Sequence, residues 1–162
     1  MSLQPIGVAV AGLGFGEKVH LPALQANADL SAVALWHPRR ERLDEACDLH
    51  GLRGSDDWNV VLADPAVEAV IIATPPEPRF ELARRALEAG KHVLLEKPVA
   101  LHADQAKELQ RLAIARGRSV AVNYEYRAVP LFMQAKRLLQ AGAVGTPWLV
   151  KRIRNLSCSV SY

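Results

Sequence analysis

Apolar residues follow two alternating rhythms along this chain. The run IGVAVA from Ile6 to Ala11 is short, partly β-branched and closed by glycines, as a strand buried on both faces would be. Apolar positions then recur with helical spacing at Val19, Leu21, Leu24 and Ala28, before a second apolar run from Leu30 to Trp36. The alternation continues with a helix over Arg39 to His50, a short helix at Trp58 to Leu62, and the strand VEAVIIA from Val67 to Ala73. A helix over Pro78 to Ala89 carries its apolar stripe on Leu82, Ala83, Ala86 and Leu87, and Gly90 stands where a left-handed cap belongs. The strand HVLLEK follows at once. A last helix over Asp104 to Arg116 stops at Gly117, before the strand SVAVN that ends at Asn123.

Strands joined by helices of this length need crossover connections, and right-handed crossovers produce a parallel sheet covered on both faces. The predicted fold is therefore α/β, a doubly wound parallel sheet. After Asn123 the order changes to a helix near Leu131 to Gln140 and then WLVKRIRNL, whose alternating apolar and basic residues suit a strand with one wet face. The expected organisation is a nucleotide-binding domain over residues 1–124, with 125–162 as linker helix and first strand of a largely missing second domain. An apolar strand left at such an edge is a template for association, so a homo-oligomer through this strand is expected.

Half of the residues are apolar, enough for a substantial core in a chain of 162 residues. The net charge of +3 is small and dispersed, which argues against a nucleic-acid partner and is compatible with a phosphate-bearing small molecule. No apolar run approaches the roughly 18 residues that span a bilayer, and the N-terminus lacks the order of a signal peptide, so no membrane association and a cytoplasmic location are expected. Cys47 and Cys158 read as reduced thiols. Cys47 and His50 lie one helical turn apart without further ligands nearby, so no metal site is predicted.

The candidate chemistry begins at Gly12-Leu13-Gly14-Phe15-Gly16, between the first strand and the first helix, where a dinucleotide pyrophosphate needs backbone amides and no side chains. Gly12 would permit the tight turn and Gly14 the approach of pyrophosphate. A strict fingerprint would place its third glycine where Glu17 stands, so the close contact of helix with strand falls to Gly16. An acidic residue that would hold the ribose hydroxyls of NAD is missing from the end of the second strand. Leu35-Trp36-His37-Pro38-Arg39-Arg40 stands there instead, with an aromatic surface for adenine at Trp36 and His37 and guanidinium groups at Arg39 and Arg40 for a 2′-phosphate. The expected cofactor is NADP in preference to NAD.

Taken with Glu96-Lys97-Pro98, these segments resemble the Gfo/Idh/MocA oxidoreductase family. The likeness runs through GLGFGEKVHLPAL, VEAVIIATPP, ALEAGKHVLLEKPVAL and LLQAGAVGTPW. It implies hydride transfer between a nicotinamide and a sugar, cyclitol or related polyol or ketone. It also implies that Lys97 is the catalytic cation beside the cofactor, with Glu96 at the same site pairing with it or orienting it, and a cis bond to Pro98. Thr74, Pro75 and Pro76 would cover the dinucleotide, and Asn123 would reach the nicotinamide or the substrate. The resemblance departs at Pro76-Glu77-Pro78-Arg79, where relatives often carry an Asn and a His. His20, in VHLPAL, occupies a family position that can face the cofactor cleft, but a lone histidine on a first helix is usually structural, so it is left out of the catalytic set. In the family the rest of the proton relay lies in the second domain, so the chain alone is expected to bind cofactor without turnover. Two alternatives stay open, a non-catalytic nucleotide-sensing module and an NAD-dependent glycosidase of the same family.

Overall fold

The computed structural model describes residues 4–148, so the predicted strand WLVKRIRNL and its expected role in association lie outside the described residues, apart from Trp148. The described chain forms two compact units, one ending at Asn123 and one beginning at Tyr124.

Six parallel strands build the first unit: β1 (Ile6–Ala11), β2 (Leu30–Trp36), β3 (Arg53–Ser55), β4 (Ala69–Ile72), β5 (His92–Glu96) and β6 (Val120–Asn123). Their order is β3-β2-β1-β4-β5-β6. The chain thus winds outward from β1 in one direction, then crosses back to β4 and winds in the other. Between β1 and β4 the carboxyl ends of two adjacent strands send their connections to opposite faces, which opens a crevice there.

Alternation along the strands assigns the two faces. Val8, Val10, Leu35 and Ile71 pack with Leu21, Leu24, Leu43 and Ala46 from α1 (Leu21–Gln25) and α2 (Arg40–His50). Ala9, Ala11, Val70, Ile72, Val93 and Leu95 face the other way, onto α3 (Trp58–Ala63), α4 (Pro76–Glu88) and α5 (Ala103–Arg116). The doubly wound parallel sheet expected from the sequence is the fold observed. Gly90 and Gly117 take positive φ, as the predicted helix ends require.

Three local differences have physical causes. β3 has no apolar run to announce it, because Arg53-Gly54-Ser55 is a short edge strand paired on one side with β2. The first helical segment opens as a π turn over Gly16–His20 before α1 begins. α4 starts at Pro76 rather than Pro78, since a proline at the first helical position gives up a donor that has no partner there anyway. In the second unit a 3₁₀ turn at Glu125–Arg127 precedes α6 (Pro130–Gln140), and Tyr126 meets Phe132 edge to face at 5.7 Å.

Leu95 is fully buried in the middle of the sheet. Leu95→Ala is expected to lower the unfolding free energy by about 2–5 kcal/mol, read as a reduced urea midpoint at unchanged m-value.

Candidate functional site

The glycine turn lies in the crevice between β1 and β4. Gly12 has φ +98°, and a Cβ there would sit 2.9 Å from the carbonyl carbon and oxygen of Ala73 and 3.0 Å from the nitrogen of Thr74. Only glycine lets the turn rest on the backbone that leaves β4. A Cβ on Gly14 would meet nothing within 4 Å, so the turn is open on the side where a ligand would approach. A Cβ on Gly16 would come within 2.9 Å of Val10 and 3.4 Å of Ala73. Gly16 therefore makes the close helix-to-strand contact, and Glu17 is left to meet the His50 ring at 3.2 Å. Leu13 buries its side chain in the core, while Phe15 is exposed and lies edge-on to His20 at 5.4 Å. The cradle fits a pyrophosphate: backbone at Gly14, no side chain in the way, and a helical start behind it.

A second cluster gathers at the carboxyl ends of β5 and β6. Glu96 is only 6% exposed, yet it is a carboxylate. Its Oε1 accepts from Asn123 Nδ2 at 2.6 Å and lies 2.8 Å from His20 Nε2, and the backbone N–H of Lys97 donates to the same carboxylate. Burial pushes the Glu96 carboxyl up. The hydrogen bonds from Asn123, His20 and Lys97 together outweigh burial and hold it below the ordinary carboxylate range. One oxygen thus joins residues from three parts of the sheet edge. Lys97 follows at the exposed end of β5, and its bond to Pro98 is cis.

The loop after β4 is tied to the same region. Thr74 is buried and its hydroxyl donates to the Pro75 carbonyl at 3.2 Å, while Pro75 is exposed and Pro76 half-buried. Arg79, on the first turn of α4, is 3% exposed. It donates to the Glu96 carbonyl at 2.8 Å and to the carbonyls of Pro98 and Thr74. Burial pushes its guanidinium below its ordinary value, and the charges of Glu96 and Glu77 oppose that shift.

The end of β2 differs from expectation at one residue. Trp36 is 8% exposed, donates its indole N–H to the Asp56 carbonyl at 3.1 Å and packs edge-on to Trp58 at 5.5 Å. Its ring completes the core rather than offering a face to adenine, because the indole fills the space left by short side chains on β1 and β3. His37 stays half-buried, with Nδ1 3.1 Å from the Arg39 nitrogen, shaping the turn into α2. Arg39 and Arg40 are exposed. Arg40 binds Asp44 through Nε at 2.9 and 3.1 Å and lies 3.7 Å from Asp56.

Of the residues singled out in the sequence, the fold brings the glycine turn against Ala73-Thr74 and Asn123 onto Glu96. It leaves Arg39 and Arg40 on the open surface beyond β2. Two polar groups, His20 and Arg79, take a larger part in the site than the sequence indicated. His20 gave no signal of spacing toward Glu96, 76 residues away. Arg79 did give one, since it continues the buried stripe of Leu82, Ala83, Ala86 and Leu87 one turn upstream.

A parallel sheet in this order, with a glycine turn at its switch point and polar groups gathered beyond its carboxyl ends, defines a dinucleotide-binding Rossmann domain. Residues 6–124 match the oxidoreductase family with an NAD-binding Rossmann fold, Gfo/Idh/MocA, and the chain belongs to that family. An uncharacterized oxidoreductase of Synechocystis sp. is 41% identical over 145 residues, covering 89% of this chain and 39% of its own length. An inositol 2-dehydrogenase/D-chiro-inositol 3-dehydrogenase of Lactiplantibacillus plantarum is 31% identical over 149 residues, covering 88% of this chain and 42% of its own. Among solved structures, a 3-ketoreductase of Actinomadura kijaniata in complex with NADP and TDP-benzene superposes with a TM-score of 0.80 at 31% identity, covering 85% of this chain and 43% of that one. The chain spans about two-fifths of the length of these proteins.

Because the folded-state pKa of Glu96 is depressed, its contribution to stability is present above the unfolded value and is lost as pH falls through the folded one. Glu96→Gln is therefore expected to lower stability at neutral pH by about 1–3 kcal/mol. The gap from wild type should shrink below about pH 4, under the ordinary carboxylate range, in urea unfolding measured across that window.

Proposed function

We propose that residues 1–124 are the NAD(P)-binding domain of an oxidoreductase acting on a sugar, cyclitol or related polyol or ketone, and that residues 125–162 lead into its substrate domain. The observation that carries this reading is the convergence, beyond the carboxyl ends of one parallel sheet, of an open glycine turn and the Glu96-Lys97 pair. The names of relatives support the substrate class, an inositol dehydrogenase and a 3-ketoreductase among them.

In this reading the amides from Gly12 to Gly16 hold the pyrophosphate, and Thr74, Pro75 and Pro76 cover it from β4. The bound nicotinamide supplies a hydride acceptor or donor. Lys97 places its ammonium beside the reacting oxygen, lowers the energy of charge developing there, and exchanges a proton with it. Glu96, fixed by His20 and Asn123, keeps the backbone of Lys97 in place through its N–H. NADP is the preferred cofactor, with Arg39 the stronger candidate for the 2′-phosphate because Arg40 already serves Asp44. A cytoplasmic location belongs to the same reading, and no helix among the described residues is long and apolar enough to cross a membrane. Self-association through the 148–156 segment is part of it too, on the sequence pattern alone.

Three outcomes test it. In fluorescence titrations the 162-residue protein should bind NADPH more tightly than NADH. Arg39→Ala should weaken NADPH by about tenfold and leave NADH unchanged; equal loss for both would refute the 2′-phosphate assignment. With myo-inositol or glucose and NADP, the same protein should show no turnover, because a dinucleotide domain alone does not position the substrate or exclude water.

A further inference from the structure

Arg79 is a buried cation with no ion-pair partner among the described residues, and its Nε has no hydrogen-bond partner. A charge in that position is expensive, and an apolar residue of similar size would suit the stripe of α4 better. What the guanidinium does instead is geometric. Nη1 donates both to the Glu96 carbonyl and to the Pro98 carbonyl, the two peptide oxygens that flank Lys97 in the chain. Nη2 donates to the Thr74 carbonyl, at the exit of β4 against which Gly12 rests. A planar fork is suited to this task, since its donors point in fixed directions and a single ammonium cannot reproduce them.

We propose that Arg79 is the positioning residue of the site: it locks the 96–98 segment that carries Lys97 to the 74–76 loop, so that both move as one body. The functional half of this inference rests on the oxidoreductase reading above; the mechanical half does not. Arg79 is buried and acts through the backbone on either side of Lys97. A methionine at this position has no donor and a histidine at most two, against the three carbonyls that Arg79 meets.

The test is amide hydrogen exchange on the 162-residue protein and on Arg79→Lys, with Arg79→Met as a harsher variant. Arg79→Lys keeps the charge, so it carries the test if Arg79→Met does not fold. Exchange should rise about tenfold or more at Lys97 and Val99 and, together with them, at Thr74 and Glu77, while the interiors of β1 and β5 stay protected. Unchanged exchange in either loop, or a uniform rise across the domain, would overturn the proposal by making Arg79 an ordinary stabilising residue. Repeating the measurement with NADPH separates the two readings. Protection of Gly14 to Gly16 by NADPH in wild type, weakened in Arg79→Lys, supports the functional half. Wild type without such protection sinks the cofactor reading and the functional half with it, while the cofactor-free exchange still decides the clamp.

Discussion

A carboxylate removed from water must be met by donors, and at Glu96 those donors come from elements far apart in the chain. The turn after β1 brings His20, β6 ends on Asn123, and the next residue's own N–H closes the set. His20 and Asn123 fix two different parts of the sheet's carboxyl edge to one oxygen. That requirement explains why β6 ends where it does, why the first helical segment turns its histidine inward, and why the segment bearing Lys97 has a defined exit from β5. Arg79 adds the complementary lock from α4, by gathering carbonyls where Glu96 gathers donors. The two buried charges answer the backbone and side chains of the same edge, and both are affordable only because nearly every polar group around them is satisfied.

The crevice between β1 and β4 obeys a steric constraint of the opposite kind. At Gly12 and Gly16 the backbone is too close to Ala73, Thr74 and Val10 for any side chain, whereas at Gly14 the space is open. Contact on one side and room on the other is what lets a turn be rigid and still receive a ligand. The two features lie along one edge: an open glycine turn in the middle and the buried Glu96 carboxylate at the end of β5.

Much of this was legible in the residues. Continuous apolar runs in short strands, separated by striped helices with glycine ends, imply a parallel sheet, because helical crossovers join parallel neighbours and cover both faces of such strands. Glu17 at the strict fingerprint position pointed to Gly16 for the third glycine's role, and its contact with Val10 and Ala73 fills that role. Less legible were groups whose importance is set by distance in space. His20 and Glu96 are linked by no local pattern, so only the folded sheet reveals the pair. Arg39 and Arg40 look alike in sequence, but Asp44, one turn along α2, engages Arg40. Trp36 misled because an aromatic at a strand end serves a ligand or a core equally well until its neighbours are known; Trp58, 22 residues on, decides for the core. β3 was silent because an edge strand of three residues needs no apolar signature.

In the proposed function a dinucleotide lies along this edge, from the glycine turn to Lys97. A crystal structure of the 162-residue protein grown with NADPH tests it most directly. The account predicts the pyrophosphate on the amides of Gly14 to Gly16, the adenosine 2′-phosphate near Arg39 and the nicotinamide beside Lys97. A dinucleotide bound elsewhere on the domain, or one whose nicotinamide points away from Lys97, would contradict it.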